Sequence, residues 1–376
     1  MILHVIDNLR PESGGPTAVV TETVCRQARD FGPVTVLCRE VACDEAARTR
    51  LNQLWQGLPV RLIECGNASM ARQVASAMRS VSPSVVHVHY GWERIIRVAL
   101  KCAQELGIRT VVSTHGMFHP YALGVRKFKK AVYLWCFANR FRGVAMYLAL
   151  NEEEQIHLSR VFRWPATVLP NGVECDNLPG PDLGIFRRTV PRLGAKPFAL
   201  FVGRLHPIKG IDLLLRSFAL AVDGGIPLDL VILGPDEGEL PALQAQARQL
   251  NIQERTHFVG GVYGAMKIEA LRECSVFVHR PRFEGFGIAV VEAMAAGKPS
   301  ITTANCRLPE AARAGALAVA ADSDTDFASA LLEIAQDTSR AQDLARRGRD
   351  WAVSNASWSR ILGTLQKMYQ TSSSRT

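Results

Sequence analysis

Two acids, two cations and one histidine define the chemistry open to this chain. Glu284 and Glu292 lie eight positions apart, Arg204 and Lys209 stand five apart, and His115 follows an apolar run. An arginine fork grips two phosphate oxygens at once and a lysine adds a point charge, so the two cations suit a departing diphosphate. A carboxylate accepts hydrogen bonds from hydroxyls, so an acid beyond a phosphate site suits a ribose. Gly203 and Gly210 flank the cations, while Gly285 and Gly287 sit between the acids. Each feature alone has an ordinary reading. Isolated surface charges are usually solvated, strand–glycine–helix turns are common, and His115 by itself is as readily a structural loop residue.

Residues 276–302, VFVHRPRFEGFGIAVVEAMAAGKPSIT, read as strand, loop, helix, turn and strand. Pro281 ends the strand Val276–His279, and Gly297 and Pro299 close a helix predicted over Ile288–Ala296. The N–H groups of Phe286, Gly287 and Ile288 open that helix and would face an anion, helped by the helix dipole. A helix rises about 1.5 Å per residue, so a phosphate at its start and a ribose further along would each meet one group.

Apolar strands are predicted at Ile2–Ile6, Val34–Cys38, Val60–Cys65, Val85–His89, Thr110–Ser113, Ala145–Leu150 and Thr167–Leu169, with helical stretches between most of them. The pattern restarts at Phe198–Val202 and continues through Leu228–Leu233, His257–Val259, Val276–His279, Ser300–Thr302 and Leu317–Val319. Such alternation specifies α/β architecture, with parallel sheets covered by helices on both faces. It predicts two doubly wound domains, 1–176 and 197–356, with a Pro- and Gly-rich linker at 177–196. Residues 372–376 are expected to be disordered. Ligands of open α/β sheets sit at the carboxyl ends of strands. His115, the 203–210 loop, the 260–262 turn and the 284–288 loop all follow strands, as does the Gly14–Gly15 pair after the first one. That pair is not a G-x-G-x-x-G, so a nicotinamide-binding reading lacks its main support.

Taken together, the E-G-F-G loop, the E-A-M-A-A-G-K-P helix end, the spacing of Glu284 and Glu292 and the G-R-L…K-G segment 203–210 resemble the family-4 glycosyltransferases. These are retaining, metal-independent, nucleotide-sugar-dependent enzymes of GT-B fold, here of the bacterial surface-polysaccharide type. The resemblance spans nearly the whole chain and includes the Pro-Asn-Gly-Val string at 170–173 and Ser357-Trp358 at the last helix, which implies that the helix 357–371 returns to pack on the first domain. One departure is plain: the family's Gly-x-Gly-Pro-acid element lacks its earlier glycine, with Ile232 and Leu233 before Gly234.

The resemblance implies two Rossmann-like domains facing a cleft, with a UDP-, GDP- or ADP-sugar donor held mainly by the second and a saccharide or lipid-linked acceptor by the first. Glu284, His115, Arg204 and Lys209 would take the catalytic places, Glu284 and His115 on the transferred sugar and the two cations on the diphosphate. Glu292 would bind the ribose, the N–H groups of Phe286, Gly287 and Ile288 the diphosphate, and the backbone at Val262 the nucleobase. Gly14 and Gly15 would lie near the diphosphate and the acceptor, and His119 is the weaker histidine. No cofactor and no metal are expected. Asp322-Ser323-Asp324 looks like a metal-binding D-x-D but reads better as a helix cap. Rival readings are a nucleotide-sugar epimerase or a phosphorylase on the same fold, a non-catalytic membrane-surface scaffold and a nucleic-acid-binding module.

Composition narrows these. The chain has 376 residues, a net charge of +9 and 48% hydrophobic residues, which is globular and long enough for two domains. Residues 125–142 carry Arg126, Lys127, Lys129, Lys130, Arg140 and Arg142 with no acid, interleaved with Phe128, Tyr133, Trp135, Phe137 and Phe141. This fits a basic amphipathic helix lying on an anionic membrane, or one whose aromatics pack inward. No RNA-binding aromatic motif or zinc finger accompanies the charge, which argues against nucleic acid. The nine cysteines show no C-x-x-C pair and, in apolar segments such as those of Cys25, Cys136 and Cys274, are expected to be buried thiols. With no signal peptide and no apolar spanning run, the expected location is cytoplasmic, peripheral on the inner membrane face.

Overall fold

The computed structural model describes residues 1–10, 15–41, 45–175 and 184–370. Two compact units emerge: residues 1–171 with 361–376, and residues 172–360. The first unit is built on seven strands: β1 (Ile2–Asn8), β2 (Val34–Glu40), β3 (Val60–Glu64), β4 (Val85–His89), β5 (Arg109–Ser113), β6 (Met146–Ala149) and β7 (Ala166–Val168). All pairings are parallel, in the order β3-β2-β1-β4-β5-β6-β7. The second carries β8 (Phe198–Val202), β9 (Asp229–Leu233), β10 (Thr256–Gly260), β11 (Val276–His279), β12 (Ser300–Thr303) and β13 (Ala318–Ala320). Its order is β10-β9-β8-β11-β12-β13, again parallel. Each sheet reverses winding at its first strand, as expected for doubly wound α/β units. Central strands such as β4 and β9 are buried throughout, as helices on both faces require.

The two faces of the first sheet differ. Leu3, Val5, Val86 and Val88 point into one apolar core. Alternation then puts His4, His87 and His89 on the other face, with His4 paired to His87 in the β1–β4 register. The last helix, Trp358–Gln370, contributes Leu365 and Tyr369 to a cluster with Val85, Val111 and Leu148 of this sheet.

The stretch read as a linker is structured where it is described. Ile185–Thr189 is a helix and Pro191–Leu193 a 3₁₀ turn, and both belong to the second unit. Phe186 and Leu193 are fully buried. Glu269 accepts the N–H groups of Gly184 and Phe186 at 2.6 and 3.0 Å, and Arg187 pairs with Glu273. The Pro and Gly content suggests a linker, but two buried apolar side chains anchor its described part. Residues 177–183 and the tail 372–376 lie outside the described residues. Among the described residues seven cysteines are buried, but Cys136 is exposed on its helix rather than part of the core.

Candidate functional site

In the second unit the chain leaves β8 through Gly203, turns in a 3₁₀ step at Pro207–Lys209 and starts the helix Ile211–Asp223. Gly210 makes the turn at φ +64°, and a Cβ there would meet the Arg280 carbonyl oxygen at 2.1 Å. The loop is thereby held against the residue that follows β11. From it Lys209 donates to Glu284, whose other close neighbour is the buried His279 at 3.4 Å. Burial would push the Glu284 carboxyl up; the Lys209 ammonium and the His279 contact hold it well below the usual carboxylate range instead. The Glu284 backbone is pinned to Asn305 and Arg307 by bonds of 2.9 and 3.0 Å. Its carboxylate is therefore a fixed, charged acceptor.

Gly287 is the N-cap of the helix Ile288–Ala295, at φ +65°, where an added Cβ would come within 2.5 Å of the Cys306 sulfur. A residue with a side chain would have to displace that packing. In the first turn the Ile288 and Ala289 N–H groups have no carbonyl of their own helix to meet, whereas Val290 and Val291 both donate to the Gly287 carbonyl, at 2.9 and 3.1 Å. Phe286 itself is buried.

The other two predicted groups are engaged within the unit. Arg204 donates to Glu237 at 2.6 Å, and Glu292 accepts from Lys267 at 2.6 Å. Lys267 stands in the first turn of the helix Gly264–Glu273, just past Val262, so its ion pair ties the turn after β10 to the helix after β11. Asp236 accepts the N–H groups of Gly238, Glu239 and Leu240, opening the helix Leu240–Gln249. Ser323 caps the helix Asp324–Gln336, while Asp322 and Asp324 both bind Arg280. The D-x-D is thus a cap with two carboxylates already matched to an arginine. Lys267 and His279 carry no glycine-rich signal in the sequence, and Glu237, although it lies in the string Gly234–Gly238, reads there only as a helix start.

In the first unit His115 follows β5 at φ 49°, left-handed for a non-glycine residue. Its loop is tied down by Glu154, which accepts the Leu150 N–H at 3.0 Å. Burial pushes the Glu154 carboxyl up, opposed by hydrogen bonds that include the N–H groups of Phe118 and Gly116. The His115 ring contacts Tyr90 and hydrogen-bonds His89. Burial drops its pKa to about 4, so it is a neutral imidazole at neutral pH. Gly15 opens the helix Gly15–Phe31, whereas Gly14 lies outside the described residues. His119 caps the short helix Pro120–Gly124 and also meets Glu153.

The basic helix, Lys127–Arg142, divides its apolar residues. Tyr133, Leu134, Phe137 and Phe141 pack into the unit's core. Phe128, Val132 and Trp135 form a stripe at i, i+4 and i+7 that is 86%, 61% and 83% exposed. Among the described residues no helix is long and apolar enough to cross a membrane.

Two family models match in tandem: "Glycosyltransferase Family 4" over residues 13–177 and "Glycosyl transferases group 1" over residues 185–351. The chain belongs to the family-4 glycosyltransferases.

Among named family relatives, a D-inositol 3-phosphate glycosyltransferase of Actinosynnema mirum is 33% identical, over 54% of this chain and 52% of its own length. A GDP-mannose-dependent α-(1-6)-phosphatidylinositol monomannoside mannosyltransferase of Mycolicibacterium smegmatis is 30% identical, over 50% and 52%. The chain spans about half the length of the curated relatives it matches. Among solved structures, Anabaena HepE in complex with UDP and glucose superimposes with a TM-score of 0.79 over 98% of this chain and 99% of its own, at 19% identity. That likeness establishes GT-B architecture for this family-4 chain.

Proposed function

We propose that the protein is a retaining hexosyltransferase that moves a hexosyl group from a nucleoside-diphosphate sugar to a saccharide or lipid-linked acceptor in surface-polysaccharide assembly. The observation carrying this reading is the set of opposite charges gathered after β8, β9, β10 and β11: Lys209 on Glu284, Arg204 on Glu237, and Lys267 on Glu292. A nucleoside diphosphate offers these cations and acids the partners they now find in one another. Arg204 and Lys209, with the N–H groups of Phe286, Gly287 and Ile288, would hold the diphosphate. Glu292 would take the ribose, the backbone at Val262 the base, Glu284 and His115 the sugar, and Gly14 and Gly15 the acceptor side.

In the step itself the bond from the sugar's anomeric carbon to the diphosphate oxygen breaks. The acceptor hydroxyl oxygen takes its place, and its proton leaves with the nucleoside diphosphate. Prepositioned cations meeting the growing charge would supply the acceleration, each donor contributing ~3 kcal/mol. No metal or other cofactor enters this scheme. The exposed Phe128–Val132–Trp135 stripe and its flanking lysines would rest on an anionic membrane surface, where lipid-linked acceptors reside. HepE's solved complex with UDP-glucose and the GDP-mannose dependence of the smegmatis relative support a nucleotide-sugar donor.

A panel of UDP-, GDP- and ADP-sugars screened by ligand-observed NMR tests the reading. One donor should bind the wild type and bind Glu292→Ala at least about tenfold more weakly, the loss expected for a charge-assisted hydrogen bond. Folded wild-type protein that binds none of them overturns it.

A further inference from the structure

A buried chain of hydrogen bonds runs through the first unit and ends at His115. The amide oxygen of Gln27, on the helix Gly15–Phe31, lies 2.6 Å from His4 Nε2. His4 Nδ1 lies 2.9 Å from His89 Nε2, and His89 Nδ1 lies 3.1 Å from His115 Nε2. Gln27, His4 and His89 are buried. Burial drives all three imidazoles toward the neutral form: His4 and His115 fall to about 4, and His89 well below its ordinary value. A neutral imidazole has one N–H and one lone pair, so the direction of a single bond sets the direction of the whole chain.

We propose that Gln27, acting through His4 and His89, is the positioning residue that fixes His115 as its Nε2–H tautomer and keeps Nδ1 as an acceptor for a hydroxyl of the transferred sugar. This rests on the placement of His115 against that sugar proposed above. The two ends of the chain set its direction. An amide oxygen only accepts, so His4 carries its proton on Nε2. His4 Nδ1 must then accept from His89 Nε2–H, and His89 Nδ1 from His115 Nε2–H. At the far end His115 Nδ1 is buried with no partner. A reversed chain would bury an N–H there without an acceptor, at the full desolvation cost of a donor. The direction assigned leaves a lone pair, which a sugar hydroxyl can meet.

A metal is the competing use of these rings, because His4, His87 and His89 present nitrogens within 4.8 Å of one another. Both His87 nitrogens are already bonded, to the Tyr369 hydroxyl at 2.6 Å and to the Ser113 hydroxyl at 2.8 Å. With the chain above, every nitrogen of the three rings has a hydrogen-bond partner.

Nitrogen-15 spectra of the imidazoles, recorded on the intact protein at neutral pH without ligand, read the tautomers directly. His115 should show a protonated Nε2 and a pyridine-like Nδ1. Gln27→Leu should turn this into a mixture, and Gln27→Glu, which keeps an acceptor facing His4, should restore it. In binding measurements Gln27→Leu should weaken UDP-glucose or GDP-mannose, whichever the wild type takes, by about fivefold, the weight of one hydrogen bond. Affinity for UDP and GDP alone should not change. A wild-type His115 protonated on Nδ1 overturns the proposal. So does an unchanged tautomer in folded Gln27→Leu, an equal loss for sugar-bearing and bare nucleotides, or a shift of the three rings on adding zinc chloride. If Gln27→Leu does not fold, the wild-type and Gln27→Glu spectra still decide. Wild-type protein that binds no nucleotide sugar removes the functional reading alone, since the tautomer is read without ligand.

Discussion

In the second unit, the carboxyl ends of the strands gather charge. Lys209 and Glu284 touch, Arg204 meets Glu237, and Lys267 meets Glu292. In the first unit, one face of the central strands carries His4, His87 and His89, buried and neutral, leading to His115. Both sheets are parallel and doubly wound, so topology does not explain the contrast. Depth does. The second unit's ions are partly exposed and can exchange one partner for another. The first unit's imidazoles have no water to accept a charge, and they keep polarity only as directed N–H bonds. One unit gathers partly exposed charge and the other buried, hydrogen-bonded imidazoles.

The largest expected effect breaks the charged half of this comparison. Lys209→Ala should lower kcat about a hundredfold, the weight of one charge-stabilising donor. Arg204→Ala should cost at least about tenfold, with circular dichroism unchanged in both. Wild-type turnover in either would take that residue out of the chemistry.

Acid separates the halves next. A histidine held at about 4, such as His4 or His115, binds no proton between pH 6.5 and 4, while the unfolded chain does. Stability therefore falls as pH falls through that window, by up to about 1.4 kcal/mol per histidine one pH unit below 6.5. Glu284 behaves differently. Its carboxyl is held below the ordinary 4.5, so its stabilisation is present above that value and is lost only on further acidification. His279 alone adds a lowered histidine to the second unit's site. Urea unfolding at pH 7.5 and 5.5, followed by limited proteolysis, should show the first unit opening earlier at pH 5.5. Equal loss in both units, or earlier opening of the second, would contradict the assignment of depth.

The smallest effect concerns the first unit's outside. If its charge serves a membrane, Lys129→Ala should weaken binding to anionic vesicles about fivefold, near the 1 kcal/mol expected of one lysine at such a surface. Raised salt should weaken wild-type binding as well. Binding that ignores both would return this helix to an ordinary solvated face.

Much of the second unit's site was legible in the chain because its residues are local. Glycines flank the cations and separate the acids, and a strand precedes each string. The N-terminal glycine pair and His115 were legible only as positions after strands. The described part of the linker read at 177–196 differs for a related reason: Pro and Gly counts register turns, whereas Glu269 and Glu273, which hold Gly184, Phe186 and Arg187, arrive from a distant helix.

By itself the sequence determined the thirteen strands, their alternation with helices and the family to which the chain belongs, because apolar period and glycine placement act over a few residues. Tertiary structure alone decided that Arg204 faces Glu237, that Glu292 faces Lys267 and that Gln27, His4, His89 and His115 share one line of protons. Those partners lie 23 to 85 positions apart in the chain. Only the order and register of the strands bring them within hydrogen-bonding distance.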